Sequence, residues 1–263
     1  AHVTGEGTTV PVECTGEGPG VLLRAGGAST CFDYFPRLAG LLGQHMAVIT
    51  HDRPGVGRLR DTGPLHLGKS ATQVAEVVRA TGVGPVVAVG HSLGALIALR
   101  LAVDHADQVA GLVLLDPTPT TPAAATTALS AGLRLMGALG PLSSALWVRR
   151  ARHDLGSGPF DDEQQAALAV YTDKTFTKQA ARWAGSLGQE VTELNDAVAQ
   201  VRVPAVVVSA GGNKPGGVQR TDHQRLATAL PQGRLEVWEE TTHPLHLQRP
   251  DRVANTVRSM APG

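Results

Sequence analysis

Four short stretches, HMAVITHD, PVVAVG, GLVLLD and VPAVVVSA, constrain this chain more than anything else in it. Each is apolar at consecutive positions, with little polar–apolar alternation. A strand points successive side chains to opposite faces, so strands of this kind need apolar cover on both. A parallel sheet between two layers of helices provides that cover. The intervening segments fit the same architecture. SATQVAEVVRATG starts on Ser, repeats its apolar positions every 3.6 residues and stops at Gly, which predicts a helix. LGALIALRLAVDHA, TDHQRLATAL and PDRVANTVRSM read as further helices, and RLEVWE as a strand. At the front, TTVPVEC and GVLLRA are strands split by the turn TGEGPG, with a helix from about Asp33 to Leu42. The expected class is α/β, a mostly parallel sheet flanked by helices.

The alternation pauses between Pro117 and about Val201. TALSAGLRLMGAL, LSSALWVRRA, FDDEQQAALAVYT and KTFTKQAARWAGSL all read as helical. A helical block inserted there, after the sixth strand, is most simply a cap over the carboxyl edge of the sheet, where open α/β sheets bind ligands. The chain thus divides into a core of residues 1–117 and 199–263 and a cap of 118–198. The cap's aromatics are Trp147, Phe160, Tyr171, Phe176 and Trp183, and Trp147 and Trp183 are taken as substrate-contacting pocket walls. Its apolar stretch around Leu133–Leu142 is interrupted by Arg134 and reads as packing.

Gly90-His91-Ser92-Leu93-Gly94 matches G-x-S-x-G. It lies directly between the strand PVVAV and a long helix, the setting the pattern requires. The turn strains the central residue, and the flanking glycines admit backbone at close range. Ser92 would then stand above the sheet at the positive end of a helix. A serine hydroxyl needs a base to attack. Among ten histidines, His243 has the right setting, between the strand RLEVWE and the final helix. His246, one turn on, is its rival. His91 is expected to shape the substrate pocket or pack beside the sheet. A metal held by His243 and His246 is not expected, because no third ligand has supporting spacing.

Over essentially its whole length the sequence resembles the α/β-hydrolase superfamily. AVGHSLGALIALRLA looks like the family's nucleophile elbow, HDRPGVGR resembles its D-R-x-G-x-G segment, and THPLHLQRP is similar to its catalytic-histidine loop. The resemblance implies the α/β-hydrolase fold, Ser92 as nucleophile and His243 as general base. It also implies an oxyanion hole made by the N–H groups of Leu93 and, from the loop Ala25-Gly26-Gly27-Ala28, Gly27. Ala25 departs from the His that many relatives carry there. The stretch VVVSAGGNKPGG departs further: where relatives place the acid of the triad it has Asn213 and no carboxylate. Asp116, at the end of GLVLLD, is the expected replacement, as in relatives whose acid follows that strand. Asp222 is expected to be a charge in a helix's first turn, and Glu239 and Glu240 are too close along the chain to His243 to be preferred.

Acids and bases balance at 23 each, which argues against a nucleic acid or an anionic membrane as partner. Cys14 and Cys31 make no disulfide framework, and Cys31 is read as packing. No apolar run approaches the ~20 residues of a membrane span. The N-terminus AHVTGEGTTV lacks the regions of a signal peptide, so a cytoplasmic location is expected. The abundance of Ala and Gly and the scarcity of Lys suggest a bacterial source. The expected activity is a serine hydrolase acting on a carboxylic ester, lactone or thioester of a small molecule, without cofactor or metal. Nothing in the sequence fixes the oligomeric state, and a homodimer stays open. A Ser at position 92 argues against epoxide hydrolase or dehalogenase chemistry, which in this superfamily uses Asp. An acyltransferase or cyclase of natural-product assembly would use the same residues. Asn213 keeps a third alternative open, a non-catalytic small-molecule receptor.

Overall fold

The computed structural model describes residues 2–5, 8–27, 31–52, 66–121, 141–156, 159–165 and 187–262. One eight-stranded sheet carries the fold. Its strands are β1 (His2–Gly5), β2 (Thr8–Thr15), β3 (Gly20–Arg24), β4 (Ala47–His51), β5 (Val86–His91), β6 (Val109–Leu115), β7 (Ala205–Ala210) and β8 (Gly233–Trp238), in the spatial order β1-β2-β4-β3-β5-β6-β7-β8. β1 and β2 join antiparallel, and every pair from β4 to β8 is parallel. Helices α1 (Pro36–Leu42), α2 (Leu67–Thr81), α3 (Leu93–Asp104), α4 (Pro141–Leu155), α5 (Val218–Ala229), α6 (Leu245–Gln248) and α7 (Pro250–Arg258) complete the labelled elements.

The double-sided apolar strands behave as their composition demands. Along β5, Val86 and Ala88 enter one buried cluster while Val87 and Val89 enter another on the opposite face. β6 divides Leu112 and Leu114 from Val113 and Leu115 in the same way, and β7 divides Ala205 and Val207 from Val206 and Val208. α2 and α3 cover the first face; α1 and α7 cover the second. At roughly 25 cal/mol per Å² of apolar area, two such clusters are the main stabilising term.

Three local differences from the sequence reading have physical causes. β1 was not foreseen: HVTG is only four residues long and, among the described residues, pairs with β2 alone. α2 begins at Leu67, three residues before the expected Ser70, which is itself buried. Its first amides are satisfied from far along the chain, since the Glu190 carboxylate accepts the N–H groups of Leu67 and Gly68 and meets His66 Nδ1 at 3.1 Å. The carboxylate also suits the positive end of the helix. The third difference is at residues 187–197, which are helical and send Leu187, Val191 and Leu194 into the cluster under α2 and α3. The sequence reading had assigned this stretch to the cap.

Within the expected cap, LSSALWVRRA lies inside α4, and residues 162–165 are helical. Trp183, Tyr171 and Phe176 lie outside the described residues, as do TALSAGLRLMGAL and most of KTFTKQAARWAGSL; Trp147 is on α4 but its side chain is outside the description. Cys14 is exposed and Cys31 buried, and both are free.

The cap of α2 by Glu190 yields a stability prediction. Glu190→Ala strips the first turn of its acceptor and should cost about 1 kcal/mol. The thermal midpoint should fall by about 2–4 °C, read by calorimetry or circular dichroism.

Candidate active site

β5 and β6 are parallel neighbours with His91 opposite Leu115. The next residue on each, Ser92 and Asp116, therefore emerges side by side at the carboxyl edge. Both leave their strands through a left-handed backbone, with φ of 52° and 42°, and they are the non-glycine residues with positive φ among those described. Such a conformation costs a residue with a Cβ roughly 1–2 kcal/mol. Neighbouring bonds hold it in place: Ser92 N–H donates to Leu115 O at 3.0 Å, and Asp116 N–H to Val208 O at 2.8 Å.

The glycines of the elbow are required by contact. A Cβ on Gly90 would lie 2.4 Å from Gly94 O, and one on Gly94 would lie 2.2 Å from Arg24 O. The loop after β3 closes on the turn as well, since a Cβ on Gly26 would meet Ser92 Cβ at 3.0 Å. Gly27 follows with φ 48°. Leu93 opens α3, so its N–H belongs to the first turn, where amides lack an intrahelical partner. Ser92 Oγ meets Thr118 Oγ1 at 3.5 Å, a contact the sequence did not announce. Among the described residues Ser92 Oγ makes no hydrogen bond to His243, and such bonds often tighten only with substrate in place.

His243 and Asp116 are brought together directly. His243 Nδ1–H donates to Asp116 Oδ2 at 2.6 Å, which leaves Nε2 as the imidazole's lone-pair nitrogen. Asp116 is 1% exposed. Burial alone would raise its pKa, but the hydrogen bond and charge of His243 outweigh it, with help from His223 and the Ala210 N–H, and hold it at about 2. The remaining donors are Ala210 N–H at 2.9 Å and Asn213 Nδ2 at 2.7 Å to Oδ1, and Gln219 Nε2 at 3.2 Å to Oδ2. Asn213 thus stands against the carboxylate as a donor, a role that residue type alone did not reveal.

Of the two roles expected for it, His91 takes the packing one and not that of a substrate contact. It is buried, its Nε2–H donates to the His243 carbonyl at 2.8 Å, and its Nδ1 accepts from Tyr34 Oη at 2.8 Å. Both nitrogens are used, so none remains for a substrate. His223 is held in the same tautomer: Nε2–H donates to Pro117 O at 2.8 Å and Nδ1 accepts from Ser209 Oγ at 2.9 Å. His246, the rival base, is buried with its ring stacked on Tyr34 at 4.6 Å, and neither of its nitrogens has a partner among the described residues. Asp222 also differs from expectation. Though on α5, its carboxylate accepts the N–H groups of Thr120 and Thr121 at 2.8 and 3.0 Å, tying down the chain that leaves Asp116. Glu240 pairs with Arg249 and Arg252, while Glu239 faces Arg220.

Among the described residues no group of His, Cys, Asp and Glu is arranged to hold a metal ion, and no helix is long and apolar enough to cross a membrane. A profile of the alpha/beta hydrolase family matches residues 19–256. The chain belongs to that family. A Variovorax paradoxus protein named as a carbamate hydrolase, RutD, is 36% identical over 129 residues, 48% of each chain. The lipase LipV of Mycobacterium tuberculosis is 37% identical over 100 residues, 38% of each. The matched stretches thus span under half the length of these curated relatives. An esterase from Exiguobacterium antarcticum has the same fold, with a TM-score of 0.80 at 19% identity over 98% of this chain and 97% of its own.

The neutral, buried His246 makes stability depend on pH. Burial, and then the charge of His243, lower its pKa from 6.5 to about 3. Below pH 6.5 the unfolded chain takes up a proton that the folded chain refuses. Stability is therefore full above that pH and falls as pH drops toward 3, by about 1.4 kcal/mol per unit for this one group. His246→Phe, which keeps the ring stack, should flatten that slope in urea melts between pH 7 and pH 5.

Proposed function

We propose that this chain is a serine hydrolase that cleaves a carboxylic ester, lactone or thioester of a small molecule through an acyl-enzyme on Ser92. The observation that carries the reading is the 2.6 Å bond from His243 Nδ1 to the buried Asp116, beside a strained Ser92 on the adjoining strand end. Asp116 fixes the imidazole tautomer so that Nε2 accepts a proton. Ser92 Oγ attacks the acyl carbon as His243 removes its hydrogen. The N–H groups of Leu93 and Gly27 receive the oxyanion, an interaction whose loss typically costs ~10²–10³ in rate. His243 then protonates the leaving group and activates water to release the acid.

The names of the relatives support the reading, one being named a carbamate hydrolase and the other a lipase. The receptor alternative rested on the neutral Asn213, and a carboxylate reaches His243 from Asp116 instead. Choice of acceptor and of acyl group belongs to residues around Thr118 and beyond, where the chain enters the expected cap.

A fluorophosphonate probe tests the assignment without knowledge of the substrate. Wild-type protein should label on Ser92 and hydrolyse short p-nitrophenyl esters. Ser92→Ala should do neither, and Asp116→Asn should slow both by about 10³–10⁴ with the fold intact. Ester turnover by Ser92→Ala would overturn the mechanism.

A further inference from the structure

We propose that Asn213 and Gln219 are positioning residues whose side-chain amides hold Asp116 turned toward His243. The inference rests on the triad reading above. A carboxylate offers about four lone-pair sites. In Asp116 the four are met by Ala210 N–H, Asn213 Nδ2, Gln219 Nε2 and His243 Nδ1, at 2.9, 2.7, 3.2 and 2.6 Å. Two of these four donors are side-chain amides, and both come from the segment between β7 and the first turn of α5.

The surrounding charges do not replace them. His223 Nδ1 is 3.9 Å from Oδ1, too far for a hydrogen bond, it faces Ser209, and burial lowers its pKa. Arg220, on α5, donates to the carbonyls of Ala210 and Asn213 at 3.2 and 2.9 Å and faces Glu239 at 3.7 Å. It therefore fastens the Asn213 loop and does not contact the carboxylate itself. Asn213 stands where the family resemblance places an acid. With the acid at Asp116, a carboxylate at 213 would put a second negative charge at hydrogen-bonding range, whereas an amide of the same shape supplies a proton.

The test is the second-order rate of Ser92 labelling by a fluorophosphonate from pH 5 to pH 9, with a thermal melt of each variant. Asn213→Asp should move the acidic limb of the profile up by about one pH unit or more, because paired carboxylates retain a proton near His243 to higher pH. Asn213→Ala should slow labelling about ten-fold or more at neutral pH, the scale of a hydrogen bond to a charged group. Gln219→Ala should act in the same direction and less strongly, given its longer bond. A merely structural role would lower the melting temperature and leave the limb in place. If Asn213→Ala does not fold, the isosteric Asn213→Asp decides. Wild-type rate and limb in Asn213→Asp, with Asp116→Asn inactive, would overturn this inference alone. Wild-type labelling by Asp116→Asn would overturn the triad reading and this inference with it.

Discussion

Asp116 is a carboxylate taken almost entirely out of water, and the carboxyl edge of the sheet is organised around that fact. A buried charge without partners is expensive. Here each partner comes from a different place: the end of β7, the loop after it, the start of α5 and the loop before α6. Three of them are consecutive along the chain and the fourth follows β8, and all lie about a hundred residues beyond Asp116. They converge because β6 lies beside β7, and β7 beside β8, in parallel register. The left-handed turn at Asp116 aims the side chain across β7, so the strain of that residue and the satisfaction of its charge belong to one arrangement.

The sheet was legible because its central strands are apolar at every position, and such strands have few alternatives. The elbow was legible because Gly90 and Gly94 are dictated by backbone contacts that no larger residue allows. Asp116 could be named because the absence of an acid in AGGNKPGG sent the search to the neighbouring strand end. What sequence did not disclose depends on register and on contacts between distant segments. Asn213 was read for the charge it lacks, and only the position of β7 beside β6 turns it into a donor. The start of α2 was misplaced because its cap, Glu190, lies 123 residues away from Leu67. Tyr34, Thr118 and Gln219 belong to no pattern that a single sequence exposes.

The histidines show how burial selects a protonation state. His51, His91 and His223 each donate one ring N–H to a backbone carbonyl, at 2.8–2.9 Å. Each has a donor beside its other nitrogen: Arg24, Tyr34 and Ser209 respectively. A ring with an acceptor on one side and a donor on the other is held neutral and in one tautomer. Burial lowers the pKa of all three for the same reason. His243 is different. Its side chain is 38% exposed, it faces a carboxylate and its second nitrogen is left available. Of these four histidines, His243 is the one whose surroundings match the proposed role of base.

His91 links this sorting to the geometry of the site. It immediately precedes Ser92, and its ring holds the main chain of His243. The separation between Ser92 and His243 is thus spanned by one buried side chain, itself fixed by Tyr34 from the segment before α1. Asp116 holds the same imidazole from the other side, through Nδ1. One contact sets where the His243 backbone runs, and the other sets how its ring is turned. Both originate at the ends of adjacent strands, and β5 and β6 are held in parallel register within a packed sheet, so the two anchors of His243 are fixed relative to each other. Interiors packed at close to crystalline density resist shifts of one strand against another. The carboxyl edge of this sheet therefore serves as a rigid frame for the three side chains.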